Sequence, residues 1–88
     1  MNQDLPLRLA PRAVPRAGVE CSLLACRLLA ALRRRRHAET PYVSVEAVQA
    51  AQEEVQHQVP RVTARQLTSA LTSLVERGYV ALPTREGR

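Results

Sequence analysis

Residues 62–80 of the chain read VTARQLTSALTSLVERGYV and contain both the start and the stop signals of a helix. Thr63 and Gln66 have the spacing of a capping box, in which each side chain binds a free backbone N–H at the helix start. Apolar residues then recur at helical spacing and predict the buried face, namely Leu67, Ala70, Leu71, Leu74 and Val75. Gly78 predicts the helix end, because glycine readily adopts the left-handed conformation found there. A short strand is predicted directly afterwards, at residues 79–82.

The sequence before this stretch predicts two more helices and an extended arm. A first helix is expected over residues 20–36 and a second over residues 45–56, which Ser44 can cap. Pro41 separates these two helices and precedes a short extended piece. Residues 1–18 contain three prolines with arginines between them, which predicts an extended Pro/Arg-rich arm. Alternating leucines in this arm indicate that it can dock as an extended segment.

Length and composition restrict the class of protein. The chain has 88 residues, of which 45% are hydrophobic and 24% charged. These values indicate one folded domain and exclude a disordered chain or a membrane protein. Aromatic residues make up only 2%, so an aliphatic core is expected. A chain of this length buries roughly 60–65% of its unfolded surface, which makes a lone monomer marginal and a dimer plausible.

The charge of the chain is strongly basic and unevenly distributed. All 13 basic residues are arginine, against 8 acidic residues, and the formal net charge is +5. Residues 21–40 contain five arginines and one glutamate, residues 41–60 contain only acidic charges, and residues 61–88 again contain five arginines. Arginine suits phosphate and guanine because its planar fork donates two parallel hydrogen bonds. The absence of lysine is explained equally well by a GC-rich coding sequence, but the net positive charge is not.

No pattern of a catalytic, metal or cofactor site is found, so we expect no enzyme. The chain has three glycines and no Gly-rich phosphate loop. Cys21 and Cys26 are five residues apart, and on one helix they would point to different sides, unlike a Cys-x-x-Cys pair. His37 and His57 lie on predicted loops without a helper carboxylate. The longest apolar stretch is too short to cross a bilayer, and its basic cluster follows it, the reverse of the order in a signal peptide. A cytoplasmic location without membrane contact is therefore expected.

The order of the predicted elements, together with residues 62–80, resembles the winged helix-turn-helix regulators. The capped helix, the glycine and the following strand match the recognition helix and first wing strand of MarR-like members. The resemblance covers residues 21–82 and implies a mainly helical fold with a small β element. In that fold, residues 1–18 form the arm and residues 19–88 the winged helix-turn-helix domain. Only six residues follow Leu82, so the wing is expected to be truncated, supplied by a partner or unused in binding.

The resemblance implies that the third helix enters the major groove of double-stranded DNA. The exposed face of this helix is expected to present small hydroxyls, which permit close approach, with one arginine and one glutamine suited to base edges. An alternative is that the serines and threonines simply cover a solvent-exposed face. The predicted DNA contacts are Thr63, Arg65, Gln66, Ser69, Thr72 and Ser73 of this helix, Arg61 before it, and Arg85 and Arg88 at the wing tip.

The first helix is expected to carry a second apolar stripe, which packs against the leucines of the arm or joins two subunits. Residues Val19, Leu23, Cys26 and Ala30 lie almost opposite its main buried face at helical spacing. The expected function is therefore that of a homodimeric transcriptional regulator, bacterial or phage in origin. The alternative, of a different class, is a protein-interaction module that acts as an adaptor or inhibitor of a larger nucleic-acid machine such as RNA polymerase.

Overall fold

The computed structural model describes residues 6–82, which form three helices and a small antiparallel sheet. In chain order the elements are β1 (Leu7–Leu9), α1 (Leu23–Arg34), β2 (Tyr42–Val43), α2 (Val45–Gln58), α3 (Ala64–Glu76) and β3 (Val80–Ala81). The prediction of a mainly helical fold with three helices and short strands is confirmed. Within residues 6–82, no helix has the length and apolar character needed to cross a membrane. The wing predicted after Leu82 falls on residues 83–88, outside the described part of the chain.

Helix α1 is shorter at both ends than the sequence pattern predicted. It spans Leu23–Arg34, whereas the prediction was residues 20–36. The Ser22 hydroxyl accepts a hydrogen bond from the amide of Ala25, and Ser22 has the extended backbone of a helix cap. The helix therefore begins after Ser22, because this cap satisfies a backbone donor that has no partner inside the helix.

Helices α2 and α3 start where the sequence predicted. The Ser44 hydroxyl caps α2 by accepting from the amide of Ala47. At α3, the Thr63 hydroxyl accepts from the Gln66 amide at 3.1 Å, and Gln66 Oε1 accepts from the Thr63 amide at 2.9 Å. The predicted capping box is thus confirmed in both directions.

The arm provides the central strand of the sheet. Strand β1 pairs antiparallel with β2 on one side and with β3 on the other, giving the order β2-β1-β3. Arg8 lies opposite Tyr42 in one pair and opposite Ala81 in the other. Strands β2 and β3 do not pair with each other. The sheet therefore exists only because residues of the arm donate and accept its backbone hydrogen bonds.

The core is aliphatic and α1 lies at its centre. Helix α1 packs against both α2 and α3, and its Leu28, Leu29 and Leu32 are fully buried. Side chains alternate along β1, so Leu7 and Leu9 point into this core while Arg8 points to solvent. The arm thus closes one side of the hydrophobic core in addition to completing the sheet.

Arg12 fastens the arm to the end of α3. Its Nη1 donates to the carbonyl oxygen of Arg77 at 2.5 Å, and its guanidinium lies 4.2 Å from the centre of the Tyr79 ring. From the other side, Arg33 donates to the carbonyl oxygen of Arg12 at 2.5 Å. Gly78 has a φ of +81°, and a Cβ there would lie 3.2 Å from Arg12 Nη1. Glycine is favoured at this helix end both by its backbone conformation and by the space that Arg12 occupies.

Substitutions in β1 test whether the arm is part of the stable fold. Leu9→Ala should lower the free energy of unfolding by about 2–5 kcal/mol, because it removes buried methyl groups from a filled core. Arg8→Ala, on the exposed side of the same strand, should change it by no more than about 0.5 kcal/mol. Urea unfolding followed by circular dichroism measures both variants. Equal stability of the two would show that the arm does not contribute to the core in solution.

Candidate nucleic-acid interface

The exposed face of α3 presents four of the predicted contact residues to solvent. Arg65, Ser69 and Thr72 lie opposite the buried residues of the helix, and Thr63 is exposed at its start. Arg61 is exposed in the connection that leads into the helix. Within residues 6–82, no hydrogen bond engages the side chains of Arg65, Ser69 or Thr72. The side chains of this face are thus accessible to a ligand, because they form no hydrogen bonds within the described part of the chain.

Three predicted contact residues have internal partners. The Thr63 hydroxyl, although exposed, accepts from the Gln66 amide in the capping box. Gln66 Oε1 accepts from the backbone amide of Thr63, so the Gln66 side chain is held at the helix start. Paired recognition of adenine by glutamine uses both the oxygen and the nitrogen of the amide, so it would compete with the capping box. Ser73 is partly buried, and its hydroxyl accepts from Nε of Arg77 at 3.3 Å. The capping box visible in the sequence is itself the signal that Gln66 has a structural role.

Thr68 is a surface residue of α3 that the sequence reasoning did not include among the contacts. It is exposed at the edge of the same face, next to the half-buried Val75. The helical spacing could have identified it, because Thr68 lies one turn before Thr72.

Positive charge on the α3 face is concentrated at its N-terminal end. Arg61 and Arg65 lie at the helix start, where the helix dipole is also positive and favours anions. Glu76 is exposed in the last turn and brings negative charge to the opposite end. An anionic ligand on this face is therefore favoured at the first two turns of α3. The predicted contacts Arg85 and Arg88 lie outside the described residues.

Half of the Arg33–Arg36 run is used to join α1 to α2. Arg34 and Arg35 both form ion pairs with Glu54 of α2, and the contact from Arg35 Nη2 to Glu54 Oε1 is 2.9 Å. Gln58 donates to the same carboxylate at 3.1 Å. The hydrogen bond from Arg35, followed by the contact with Arg34, holds the pKa of Glu54 below its usual value. One carboxylate thus neutralises part of the charge that the sequence concentrates in residues 33–36.

The Glu54 contact gives the stability of the chain a pH dependence. A carboxyl group with a lowered pKa in the folded state stabilises the fold when ionised, and this stabilisation is lost as pH falls through that pKa. Glu54→Gln should therefore lower the melting temperature at pH 7, and the difference from wild type should shrink as the pH is lowered through the acid range. Glu53→Gln is the matched control, since Glu53 is exposed and forms no ion pair within residues 6–82. Thermal unfolding of the three proteins between pH 7 and pH 3 measures this, and identical curves for both variants would contradict it.

Most of the stripe predicted as a dimer interface lies on the surface. Val19 is 70% exposed, Leu23 is 63% exposed, and Ala30 is also exposed. Val14 of the arm adds a further large apolar side chain at 63% exposure. Cys26 differs, because it is partly buried and its thiol donates to the Pro15 carbonyl oxygen at 3.8 Å.

The two cysteines are neighbours, contrary to the expectation that they point to different sides of a helix. Cys21 is buried and precedes α1, so helical spacing does not relate it to Cys26. Burial raises the pKa of the Cys26 thiol, and the charge and hydrogen bond of the nearby Cys21 and the charge of Glu20 raise it further. Both are free thiols. Within residues 6–82, no three His, Cys, Asp or Glu side chains are grouped in a way that could hold a metal ion.

Comparison of the chain with protein-family models, curated proteins and solved structures finds no significant match. A function is therefore inferred from the geometry and charge of the chain itself. Two features of the surface are notable: the exposed face of α3, with its positive first turns, and the large exposed apolar side chains of Val14, Val19 and Leu23.

Proposed function

We propose that the chain is a small homodimeric DNA-binding protein that acts as a transcriptional regulator, with α3 in the major groove. The observation that carries the proposal is the open face of α3, where Ser69 and Thr72 lie beside Arg65 on a helix held by buried leucines and a capping box. Short side chains permit close approach to the base edges, and arginine donates two parallel hydrogen bonds to guanine. In this proposal the chain binds rather than catalyses and needs no cofactor.

The arrangement of the elements supports a winged helix-turn-helix reading. Helices α2 and α3 are joined by the short connection 59–63, and β3 follows α3 after Gly78. In a winged helix-turn-helix regulator, a second wing strand returns to pair with the strand after the recognition helix. Here β1 of the arm pairs antiparallel with β3, which is the pairing that a returning strand would make. The arm thus occupies, beside β3, the position that a returning wing strand has in that fold.

Charge also favours DNA over a neutral partner. The net charge is +5, and Arg61 and Arg65 lie at the positive end of the α3 dipole. Contacts between arginines and phosphates displace counterions from the duplex, so the affinity should fall linearly with salt concentration on logarithmic axes. A homodimer would place two copies of α3 at half-sites about one helical turn apart.

DNA binding through α3 is tested with a duplex sequence selected from a randomised pool by the wild-type protein. The double variant Arg65→Ala/Ser69→Ala should bind this duplex at least about 10-fold more weakly, since one bidentate arginine–base pair contributes about 1–3 kcal/mol. Fluorescence anisotropy measures the affinity over a range of salt concentrations. Circular dichroism should show the same helix content and melting temperature as the wild type, because both side chains are exposed.

The matched control for this experiment is Arg27→Ala, which removes one positive charge from α1 instead of α3. It should lower the affinity only slightly and leave the selected sequence unchanged. The proposal would be contradicted if the wild type did not bind DNA even at low salt. If the control and the double variant lose DNA affinity equally, α3 does not bind in the major groove.

The dimer is tested separately at Leu23, the exposed apolar residue in the first turn of α1. Leu23→Glu should convert the dimer to a monomer, because a carboxylate in an apolar interface loses its hydration without gaining a partner. Thr68→Glu places the same charge on α3 and should remain dimeric. Light scattering at micromolar concentration gives the mass of each protein. A monomeric wild type, or a dimeric Leu23→Glu variant, would contradict an interface at this stripe.

A second candidate function is a protein-interaction module, and the apolar surface of the chain favours it. Leu23 is exposed beside a groove of about 440 Å³ that Val59 and Val62 also line. Such a groove accepts apolar side chains of another protein, as an adaptor or inhibitor of a larger machine would require. Absence of DNA binding together with a monomeric wild type would favour this candidate over the DNA-binding regulator.

A further inference from the structure

A second basic surface lies between the arm and the C-terminal end of α1. It is an open groove of about 690 Å³, and four arginines line it: Arg8, Arg12, Arg33 and Arg36. Pro11 and Pro41 form part of its walls. We call it the arginine groove.

The arginine groove is separate from the exposed face of α3 that carries Arg65. Arg12 binds the carbonyl oxygen of Arg77, which directly follows the last residue of α3. Arg65 lies in the first turn of the same helix, and a helix of 13 residues is about 20 Å long. A ligand in the groove would therefore contact the chain at the opposite end of α3 from Arg65.

The arginines of this groove keep their positive charge uncompensated. Arg12, Arg33 and Arg36 each donate to a backbone carbonyl oxygen, those of Arg77, Arg12 and Thr40 respectively. A carbonyl orients a guanidinium without neutralising it. In the part of the chain that the structure describes, none of the four forms an ion pair, whereas the neighbouring Arg34 and Arg35 are paired with Glu54. The groove thus concentrates four positive charges, three of them held in place by the backbone.

We propose that the arginine groove binds a small ligand that carries two or more linked phosphates, such as a nucleoside polyphosphate or inorganic polyphosphate. The planar fork of arginine matches phosphate oxygens, and each guanidinium that binds a carbonyl has further N–H groups to donate. A cleft lined by charge of one sign focuses its field and raises the local concentration of the opposite ion.

Its volume lies within the range of small-molecule sites. The proline walls are rigid and apolar, and a sugar or base attached to the phosphates can pack against them. This inference does not depend on DNA binding by α3.

The test is calorimetric titration of the full chain with tripolyphosphate, ATP and GTP at near-physiological salt, with inorganic phosphate as a single-phosphate reference. We expect saturable one-to-one binding of the linked phosphates and at least about 10-fold weaker binding of inorganic phosphate. Equal affinity for tripolyphosphate and the nucleotides would show that the groove recognises the phosphate chain alone. Tighter binding of the nucleotides would show that the sugar and base also contribute. Both results support the groove as a polyphosphate site.

Two variants of equal net charge separate the groove from general attraction to a basic protein. Arg8→Gln/Arg36→Gln removes two charges from the groove and spares Arg12 and Arg33, which fasten the arm. Arg16→Gln/Arg27→Gln removes two exposed charges that line neither this groove nor the α3 face. The first variant should weaken polyphosphate binding at least about 10-fold and the second less than about threefold. Melting temperatures establish that both variants are folded. If the double groove variant does not fold, the single variant Arg36→Gln replaces it.

Three results would overturn the proposal. The wild type could show no saturable binding of tripolyphosphate or nucleotides. The two double variants could lose affinity equally, which would mean attraction to net charge alone. Finally, the groove variant could lose affinity for duplex DNA while the wild type binds no polyphosphate, which would make the groove a contact for the DNA backbone.

Discussion

The backbone pairing of β1 with β2 and β3 is the constraint on which the rest of the structure depends. The two outer strands are separated along the chain by α2 and α3 and do not bond to each other, so their edges are satisfied only by β1. The same strand places Leu7 and Leu9 in the core beneath it. Pairing and burial therefore reinforce each other, since a strand with one buried face has a strongly specified register. The position of the arm then sets where Arg8 and Arg12 lie.

The arginines of the chain fall into groups with different structural roles. Arg34 and Arg35 share Glu54 and connect two helices, and Arg12 and Arg33 tie the arm across α1 and the end of α3. Net charge alone hides this division, because an arginine paired with a carboxylate offers far less attraction to an anion than one bound to a carbonyl. Within residues 6–82, arginines without an ion pair are grouped at the start of α3 and in the arginine groove. These two places are the ones at which an anionic ligand gains most.

Much of the local structure was predictable from short-range signals. The capping box of Thr63 and Gln66, the Ser44 cap of α2 and the end of α3 at Gly78 all involve residues within a few positions of one another. The open face of α3 followed from helical periodicity. Helical periodicity does not show that one side chain can be needed for two roles. The side-chain amide of Gln66 forms part of the helix cap and is therefore less available for base recognition. At α1, Ser22 was overlooked as a cap, so the helix was predicted to start too early and Cys21 was treated as helical.

The sequence by itself determined the three helices, the aliphatic core and the excess of positive charge, because each follows from composition or from spacing within one or two turns. Only the tertiary structure decided that the arm is the central strand, that Glu54 pairs with two arginines of the run, and that four other arginines line one groove. Each of these depends on contacts between residues that are far apart in the chain; Arg12 and Arg77, for example, have a sequence separation of 65. Local periodicity contains no signal for such contacts, since they are set by how the helices and strands pack together.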